Sequence, residues 1–209
     1  MAEQQEEDME GIITLAGSMP RIGTTTQAIG LARYISECSD YKVAYVECNA
    51  QNYIWSASEL YRSSRADKAS GHMTIEGIEM YNAACLKELT SGGADIDYLV
   101  LDYGDMNARD FDKEGFLKGS AHIIIGGVKP NELHYMENAL RDDAYSDAIY
   151  IFTHVPAGDT EELKDDMGSL RDDTFFSPYM PDPFQRIHEK TAEYYESLMP
   201  RILKKIRRS

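Results

Sequence analysis

One stretch near the amino terminus decides the fold: Gly11-Ile-Ile-Thr-Leu-Ala-Gly-Ser-Met-Pro-Arg-Ile-Gly-Thr-Thr-Thr26. Its first part, Gly11–Ala16, is a short β-prone run that stops at Gly17, which predicts a buried strand followed by a turn. From Thr24 onward the apolar spacing changes to the period of one helix face, with apolar residues at Ala28, Leu31, Ala32 and Ile35. The stretch therefore predicts a strand, a glycine-bearing loop and a helix in succession.

The rest of the chain continues this alternation. Four more apolar runs predict strands at Tyr41–Val46, Tyr98–Leu101, Ala121–Ile125 and Ala148–Phe152. The segments between them predict helices at Tyr53–Ser64, Asn82–Thr90 and Pro130–Arg141. Apolar strands that alternate with helices are typical of a parallel sheet covered on both faces. The sequence thus predicts an α/β fold, a mostly parallel sheet in a three-layer α/β/α arrangement.

The two ends of the chain differ in charge. Residues 1–10 hold five acids, which predicts a flexible acidic tail, and residues 11–209 are predicted to form a single domain. The acidic stretch Pro156–Asp173 predicts a solvated loop or surface helix rather than a metal site. Asp182 followed by Pro183 has the form of a helix start. A long final helix is therefore expected from about Pro183 toward Arg207, with Pro200 as the point where it could break.

Composition excludes several classes of protein. The 209 residues are 43% apolar, enough for a substantial core, yet no apolar run approaches the ~20 residues that cross a bilayer. The acidic start lacks the features of a secretory signal, and three cysteines are too few for a disulfide framework. A cytoplasmic protein is expected. The formal net charge of −15 repels polyphosphate backbones, so broad nucleic-acid binding is not expected.

The loop after the first strand has the parts that cradle a phosphate. Backbone N–H groups and the positive end of a helix would both face it, and a threonine in the first helical turn can hold Mg²⁺. In a parallel sheet the carboxyl ends of the strands meet at one edge, which would bring Gly17–Thr26, Glu47–Gln51 and Asp102–Asp105 together. The alternative is a plain connection in which the threonines cap the helix and Arg21 faces water.

These motifs resemble those of the ParA/MinD-type ATPases, in the SIMIBI branch of P-loop NTPases. The signature of that family is a deviant Walker A loop, Lys-Gly-Gly-x-Gly-Lys-Thr-Thr, then a strand ending in Asp-x-Asp-Pro-Gln and a further strand-end Asp. Met19–Thr26 falls on the loop, Lys42–Gln51 resembles the second motif, and Tyr98–Tyr103 resembles the Walker B strand. The order and spacing match over about residues 11–155.

The resemblance implies a set of ligands and their residues. ATP or ADP with Mg²⁺ would lie on Gly17, Ser18, Arg21, Ile22, Gly23, Thr24, Thr25 and Thr26, and the metal ion on Thr25, Asp102 and Glu47. It also implies a nucleotide-dependent switch or positioning protein that has protein partners and can form a homodimer. The alternative is a pseudo-ATPase adaptor that binds no nucleotide and acts through partners.

The loop departs from the family pattern in its cations. Met19 and Thr24 stand where the family has lysines, and Pro20 removes a backbone donor. Transferred phosphoryl groups need cationic partners, so ATP hydrolysis is expected to be weak or lost. Arg21 is the candidate to compensate, because its guanidinium stays charged and offers a fork of donors. In the second motif the aspartates become Glu47 and Asn49.

The final helix allows two interpretations. One face is apolar, with Tyr195, Leu198, Met199, Ile202, Leu203 and Ile206, and the other holds Arg201, Lys204, Lys205, Arg207 and Arg208. This pattern fits a helix that binds a membrane surface, as in MinD-like proteins. It also fits an ordinary terminal helix that packs on the domain, which is the favoured interpretation. Near the candidate site, Cys48 is either a reactive thiol or, by preference, a small apolar filler.

Overall fold

A computed structural model describes residues 9–61, 65–67, 69–91 and 95–209. Its strands, numbered along the chain, are β1 (Gly11–Gly17), β2 (Val43–Glu47), β3 (Arg65–Asp67), β4 (His72–Ile75), β5 (Ile78–Asn82), β6 (Tyr98–Asp105), β7 (Ala121–Gly127), β8 (Ile149–Thr153) and β9 (Thr174–Phe176). They form one nine-stranded sheet in the order β3-β4-β5-β2-β6-β1-β7-β8-β9. Going across the sheet in this order, every neighbouring pair from β5 to β9 is parallel. The pairs β3-β4 and β4-β5 are antiparallel.

The helices are α1 (Thr24–Cys38), α2 (Tyr53–Leu60), α3 (Leu86–Leu89), α4 (Lys113–Phe116), α5 (Pro130–Leu140), α6 (Thr160–Asp166) and α7 (Glu189–Ile206). Alternate residues of each strand point to opposite faces. In β1, Ile13 and Leu15 join the core under α1, α2 and α7, whereas Ala16 joins the core under α5. The sheet is therefore covered on both faces, and the predicted three-layer α/β/α fold is confirmed.

The segment between β2 and β6 differs from the prediction. The sequence interpretation placed a helix at Asn82–Thr90, but Asn82 ends β5, a 3₁₀ turn follows at Ala83–Cys85, and α3 has only four residues. Strands β3, β4 and β5 were not predicted, and neither was the edge strand β9. The helix predicted at Tyr53–Ser64 ends at Leu60, and residues 62–64 lie outside the described residues.

The final helix begins later than the Asp182-Pro183 pair predicts. The carboxylate of Asp182 accepts hydrogen bonds from the Phe184 amide, at 2.9 Å, and from the Tyr61 hydroxyl, at 2.7 Å. These bonds hold a turn that buries Phe184, so the chain does not enter α7 until Glu189. Pro200 does not break the helix, which continues to Ile206.

The apolar face of α7 packs into the core. Tyr195, Leu198 and Ile202 are buried against the sheet and α1. Two of the cations are held as well, since Arg201 and Lys205 both pair with Asp173. The structure therefore shows a terminal helix that packs on the domain, and binding of a membrane surface by this helix stays a prediction. Among the described residues, no helix has the length and apolarity to cross a bilayer.

The predictions for the two acidic segments have different outcomes. The acidic stretch Pro156–Asp173 forms α6 and a 3₁₀ turn at Gly168–Asp173, with most of its acids exposed, in agreement with a solvated surface segment. Residues 1–8 of the acidic tail lie outside the described residues.

Candidate functional site

The candidate site lies where β1, β2 and β6 end at the same edge of the sheet. In the parallel register Glu47 pairs with Asp102, and Gly17 pairs with Asp105. The loop that follows β1 therefore starts beside the end of β6. The three predicted strand ends do meet, as the topology of parallel sheets requires.

The loop curls tightly, and its glycines allow this. A Cβ on Gly17 would lie 2.7 Å from the Ile22 side chain and closer still to the Thr24 hydroxyl, so no side chain fits there. Gly23 has a φ of 102°, which favours glycine, and Arg21 has a φ of 60°, which is uncommon for a residue with a side chain. Gly23 directly precedes α1, so the first helical turn receives no side-chain cap from it.

Neighbouring strands fix the loop in place. The Ser18 amide donates to the Ile125 carbonyl of β7 at 2.7 Å, and the Ser18 carbonyl accepts from Asn107 Nδ2 at 2.5 Å. Ile22 is buried in the core, and its carbonyl accepts from the Thr153 hydroxyl of β8 at 3.3 Å. Among the described residues, the buried Ser18 hydroxyl has no hydrogen-bond partner. The loop is therefore anchored through its backbone at both ends.

A cavity of about 210 Å³ opens beside the loop. Residues of the loop, of the start of α1 and of the ends of the neighbouring strands line it: Met19, Pro20, Arg21, Gly23, Thr24, Thr25, Thr26, Gln51, Tyr53, Gly104 and Asp105. Arg21 is exposed and supplies a cation to this lining, whereas the Thr24 side chain is largely buried. The cavity thus joins a helix start, a guanidinium and threonine hydroxyls.

Asp102 is the central acid of the site. It is fully buried, and its Oδ2 accepts from the Thr25 hydroxyl at 2.6 Å and from the Tyr45 hydroxyl at 2.8 Å. Its Oδ1 accepts from the Gly104 amide at 2.9 Å. Burial raises the pKa of Asp102, and these hydrogen bonds oppose the rise because they favour the ionised form. Two of the predicted metal-binding residues, Thr25 and Asp102, are therefore in direct contact.

Glu47 is engaged differently. Its carboxylate accepts from the amides of Tyr53, at 2.6 Å, and Ile54, at 3.4 Å, so it caps the start of α2. Burial raises the pKa of Glu47, and the two amide bonds oppose that rise. Asn49 donates to the Asp102 carbonyl at 3.0 Å and ties the end of β2 to β6. Glu47 thus lies at the predicted edge, with both carboxylate oxygens facing backbone amides.

Sequence reasoning missed Tyr45 and Asn107. Tyr45 pairs in register with Val100, two residues before Asp102, and is fully buried, so its hydroxyl reaches along the sheet to the carboxylate. Buried tyrosines usually find a partner for the hydroxyl, and a tyrosine two residues before a predicted site acid was the available signal. For Asn107 no such signal exists, because its contact with Ser18 depends on the loop after β6.

Other candidate chemistry at this edge is weaker. The described residues contain no group of three or more His, Cys, Asp or Glu side chains placed to hold a metal ion. Burial, with the nearby charge of Asp102, raises the pKa of Cys48 to about 12. The thiol is therefore protonated at neutral pH, which agrees with the preferred filler interpretation.

A three-layer α/β/α sheet with a tight loop between its first strand and first helix defines the class of P-loop NTPase-like folds. No family model matches the chain, and no curated protein matches its sequence. Several solved structures do share the fold, and they are ParA/MinD-type ATPases.

Three of these structures show how far the likeness extends. An AMPPNP-bound protein of Borrelia burgdorferi B31, described as a plasmid partition protein, is 16% identical with a TM-score of 0.66, over 95% of this chain and 100% of that one. MinD in the MinC:MinD cell division complex of Aquifex aeolicus is 11% identical with a TM-score of 0.62, over 94% of each chain. A ParA family ATPase of Chlorobium tepidum TLS is 13% identical with a TM-score of 0.52, over 94% and 97%. The chain therefore has the ParA/MinD-type fold over nearly its whole length.

Proposed function

We propose that this protein is a ParA/MinD-like nucleotide-binding switch or positioning protein with weak or no ATP hydrolysis. The observation that carries the proposal is the Thr25–Asp102 hydrogen bond of 2.6 Å beside the loop cavity. It places a hydroxyl from the first turn of α1 and a carboxylate from β6 together, and Mg²⁺ prefers oxygen donors of this kind. The AMPPNP bound to the Borrelia structure supports the nucleotide.

The residues present fit ATP or ADP in their backbone geometry. The loop from Gly17 to Gly23 and the first residues of α1, Thr24–Thr26, would surround the phosphates, with Ile22 contributing its backbone amide. Ser18 would line the loop without donating its amide, which already bonds the Ile125 carbonyl. Arg21, exposed at the cavity, would pair with phosphate oxygens. Thr25 and Asp102 would hold Mg²⁺, which neutralises phosphate charge. Glu47 is a proposed third contributor at the same edge.

The proposed loss of hydrolysis rests on charge. Met19 and Thr24 occupy the lysine positions of the family motif, and the Thr24 side chain is largely buried. A single guanidinium then faces the charge that develops during phosphoryl transfer, so transition-state stabilisation is reduced more than ground-state binding. A switch that binds and releases nucleotide slowly needs no fast chemistry.

The partners follow the same proposal. The Aquifex structure is a complex of MinD with another protein, MinC. By analogy we propose that this chain acts inside the cell through protein partners, and that nucleotide favours a homodimer. Light scattering with and without Mg-ATP tests the dimer, and an unchanged molecular mass contradicts it.

Isothermal titration with Mg-ATP, Mg-ADP and Mg-GTP tests nucleotide binding. We expect ATP or ADP to bind, and Arg21→Ala to weaken binding roughly tenfold because a charge-assisted contact is lost. Arg208→Ala, which removes an exposed cation just beyond the end of α7, is the matched control. If no nucleotide gives a heat of binding at high protein concentration, the proposal is refuted. The result would favour the alternative of an adaptor that binds no nucleotide, which the missing lysines and Pro20 also support.

Titration of nucleotide with and without Mg²⁺ distinguishes the roles of Thr25 and Glu47 in binding the ion. We expect Thr25→Ala to remove the gain in affinity that Mg²⁺ gives the native protein. If Glu47→Gln removes it equally, Glu47 serves the ion. If Glu47→Gln leaves it intact, the carboxylate serves only to cap α2.

A further inference from the structure

A second and larger cavity, of about 450 Å³, lies on the face of the sheet opposite α1. Its lining comes from β1, β6, the 3₁₀ turn after β5, α3 and the region of α4: Ile12, Ala83, Leu86, Lys87, Thr90, Leu101, Tyr103, Asp112, Gly115, Lys118 and Gly119. None of these residues lines the loop cavity. The second cavity is therefore separate from the proposed nucleotide site.

The floor of this cavity is apolar. Leu101 and Tyr103 point to this face from β6 and are nearly fully buried, and Ile12 lies beside them on β1. The Leu86 side chain of α3 adds a wall that is partly buried. Cavities of 300–1,000 Å³ with a mostly apolar lining and a few polar groups are typical of small-molecule sites. The size of this cavity lies in that range, and its lining is apolar at the floor and polar at the rim.

The rim is positively charged. Lys87 of α3 and Lys118, which follows α4, both line the cavity with exposed side chains. Within the part of the chain that the structure describes, neither has an ion-pair partner. Asp112, the acid in the lining, accepts from the Gly115 amide at 2.9 Å and caps α4. In a protein of net charge −15, two unpaired lysines around an apolar floor are a local exception.

We propose that this cavity binds a small organic anion with a flat apolar body. The body would lie on Ile12, Leu101 and the ring of Tyr103, and the anionic group would lie between Lys87 and Lys118. Burial of the apolar body supplies affinity, and the lysines select for negative charge. The inference is independent of nucleotide binding, because the two cavities share no residue.

The probe for this site is anilinonaphthalene sulfonate, an aromatic anion whose fluorescence rises on binding. Phenylnaphthylamine has the same apolar body without the sulfonate. We expect the variant K87Q/K118Q to bind the sulfonate roughly fivefold more weakly, as expected for exposed charge pairs, and the uncharged probe equally well. The matched control K190Q/K204Q removes two exposed lysines of α7 and should change neither affinity.

A second variant tests the location. Ala83→Trp adds a large side chain at an exposed position of the lining, so it should abolish binding of both probes while circular dichroism stays native. Saturating Mg-ATP should leave probe binding unchanged. Three results overturn the proposal: no sulfonate binding to the native protein, equal binding to K87Q/K118Q, or competition by Mg-ATP. A strong gain in sulfonate affinity on deleting residues 1–8 also overturns it, since the acidic segment is then the occupant.

Discussion

Asp102 is a fully buried carboxylate with hydroxyl and amide donors around it and no ion-pair partner among the described residues. Such a group costs stability, because hydrogen bonds replace its hydration only in part. An apolar or amide residue at this point of β6 would fold more easily. The acid is therefore best explained by the site it serves.

We predict that Asp102→Asn raises the melting temperature at pH 7 and removes the Mg²⁺ dependence of nucleotide binding. Because burial raises the pKa of Asp102, the unfolded chain loses this proton at a lower pH than the folded protein does. Stability therefore falls as pH rises from ~3.9 through the folded value. The asparagine variant avoids that loss, since the hydroxyls of Thr25 and Tyr45 can accept from its amide. Melting curves of both proteins at pH 3 and pH 7 measure this difference. A melting temperature of Asp102→Asn below that of the native protein at pH 7 contradicts the prediction.

Gly17 tests the packing of the loop. We predict that Gly17→Ala lowers the free energy of unfolding by about 1–3 kcal/mol, because its methyl group would press on Ile22 and Thr24. Gly158→Ala is the control, since a Cβ there meets no atom within 4 Å. Urea denaturation measures both variants. Equal stability of Gly17→Ala and the native protein would show that the loop relaxes without cost.

At the scale of elements, the five long parallel strands were predicted and the hairpin was not. These five are continuous apolar runs, and four of them lie within two residues of the predicted bounds, whereas β6 continues four residues past Leu101. The parallel strands β5 and β9 were not predicted. The hairpin β4-β5 instead alternates, with Met73, Ile75, Ile78 and Met80 buried about a two-residue turn, Glu76-Gly77, where both φ angles are positive. Alternating apolar residues on both sides of a glycine-containing turn favour a hairpin, so the local sequence carries a signal for β4 and β5.

Two other features depend on contacts distant in sequence. The start of α7 is delayed because Phe184 is buried and its carbonyl binds the guanidinium of Arg33 on α1. The role of Tyr45 depends on the register between β2 and β6. Neither contact can be read from local spacing. In the site, Thr25 and Asp102 were predicted because motif order identifies strand ends, whereas their hydroxyl partner Tyr45 required the pairing of strands.

The carboxylate of Asp173 fixes α7 to the sheet. Arg201 binds both of its oxygens, and Lys205, which is 4% exposed, lies 3.3 Å from Oδ2. We predict that Asp173→Asn lowers the free energy of unfolding by about 1.5–3 kcal/mol, because Arg201 loses its charged hydrogen-bond partner, whereas Lys205 keeps its ion pair with Asp147. Asp172→Asn, at the exposed neighbour, should have little effect. A loss of similar size in both variants would show that general charge matters more than this contact.

The pH dependence of the same contact has a defined sign. Burial tends to raise the pKa of Asp173, but the hydrogen bond from Arg201 and the charge of Lys205 outweigh it, so the pKa is lowered. The stabilisation is therefore complete above the unfolded value of ~3.9 and is lost as pH falls through the folded value. The native protein should lose more stability below pH ~4 than Asp173→Asn does. Parallel acid-denaturation curves would contradict this assignment.

At the scale of the whole molecule, charge repulsion is the dominant long-range effect. With a formal net charge of −15, the folded chain concentrates negative charge that the unfolded chain spreads out. We predict that raising NaCl from ~0.01 to ~0.2 M increases the melting temperature by a few degrees, since the screening length then falls from ~30 to below ~10 Å. KCl at equal concentration should act alike. A decrease in melting temperature would mean that the ion pairs outweigh the repulsion.

Both rims of the nine-stranded sheet, β3 and β9, are strands of three residues. Rims this short offer little backbone to template another chain by strand addition. Strand addition at these two edges, as far as the structure describes them, is therefore disfavoured. Contacts between copies would form more readily through helices, loops or ligands, and such contacts are reversible.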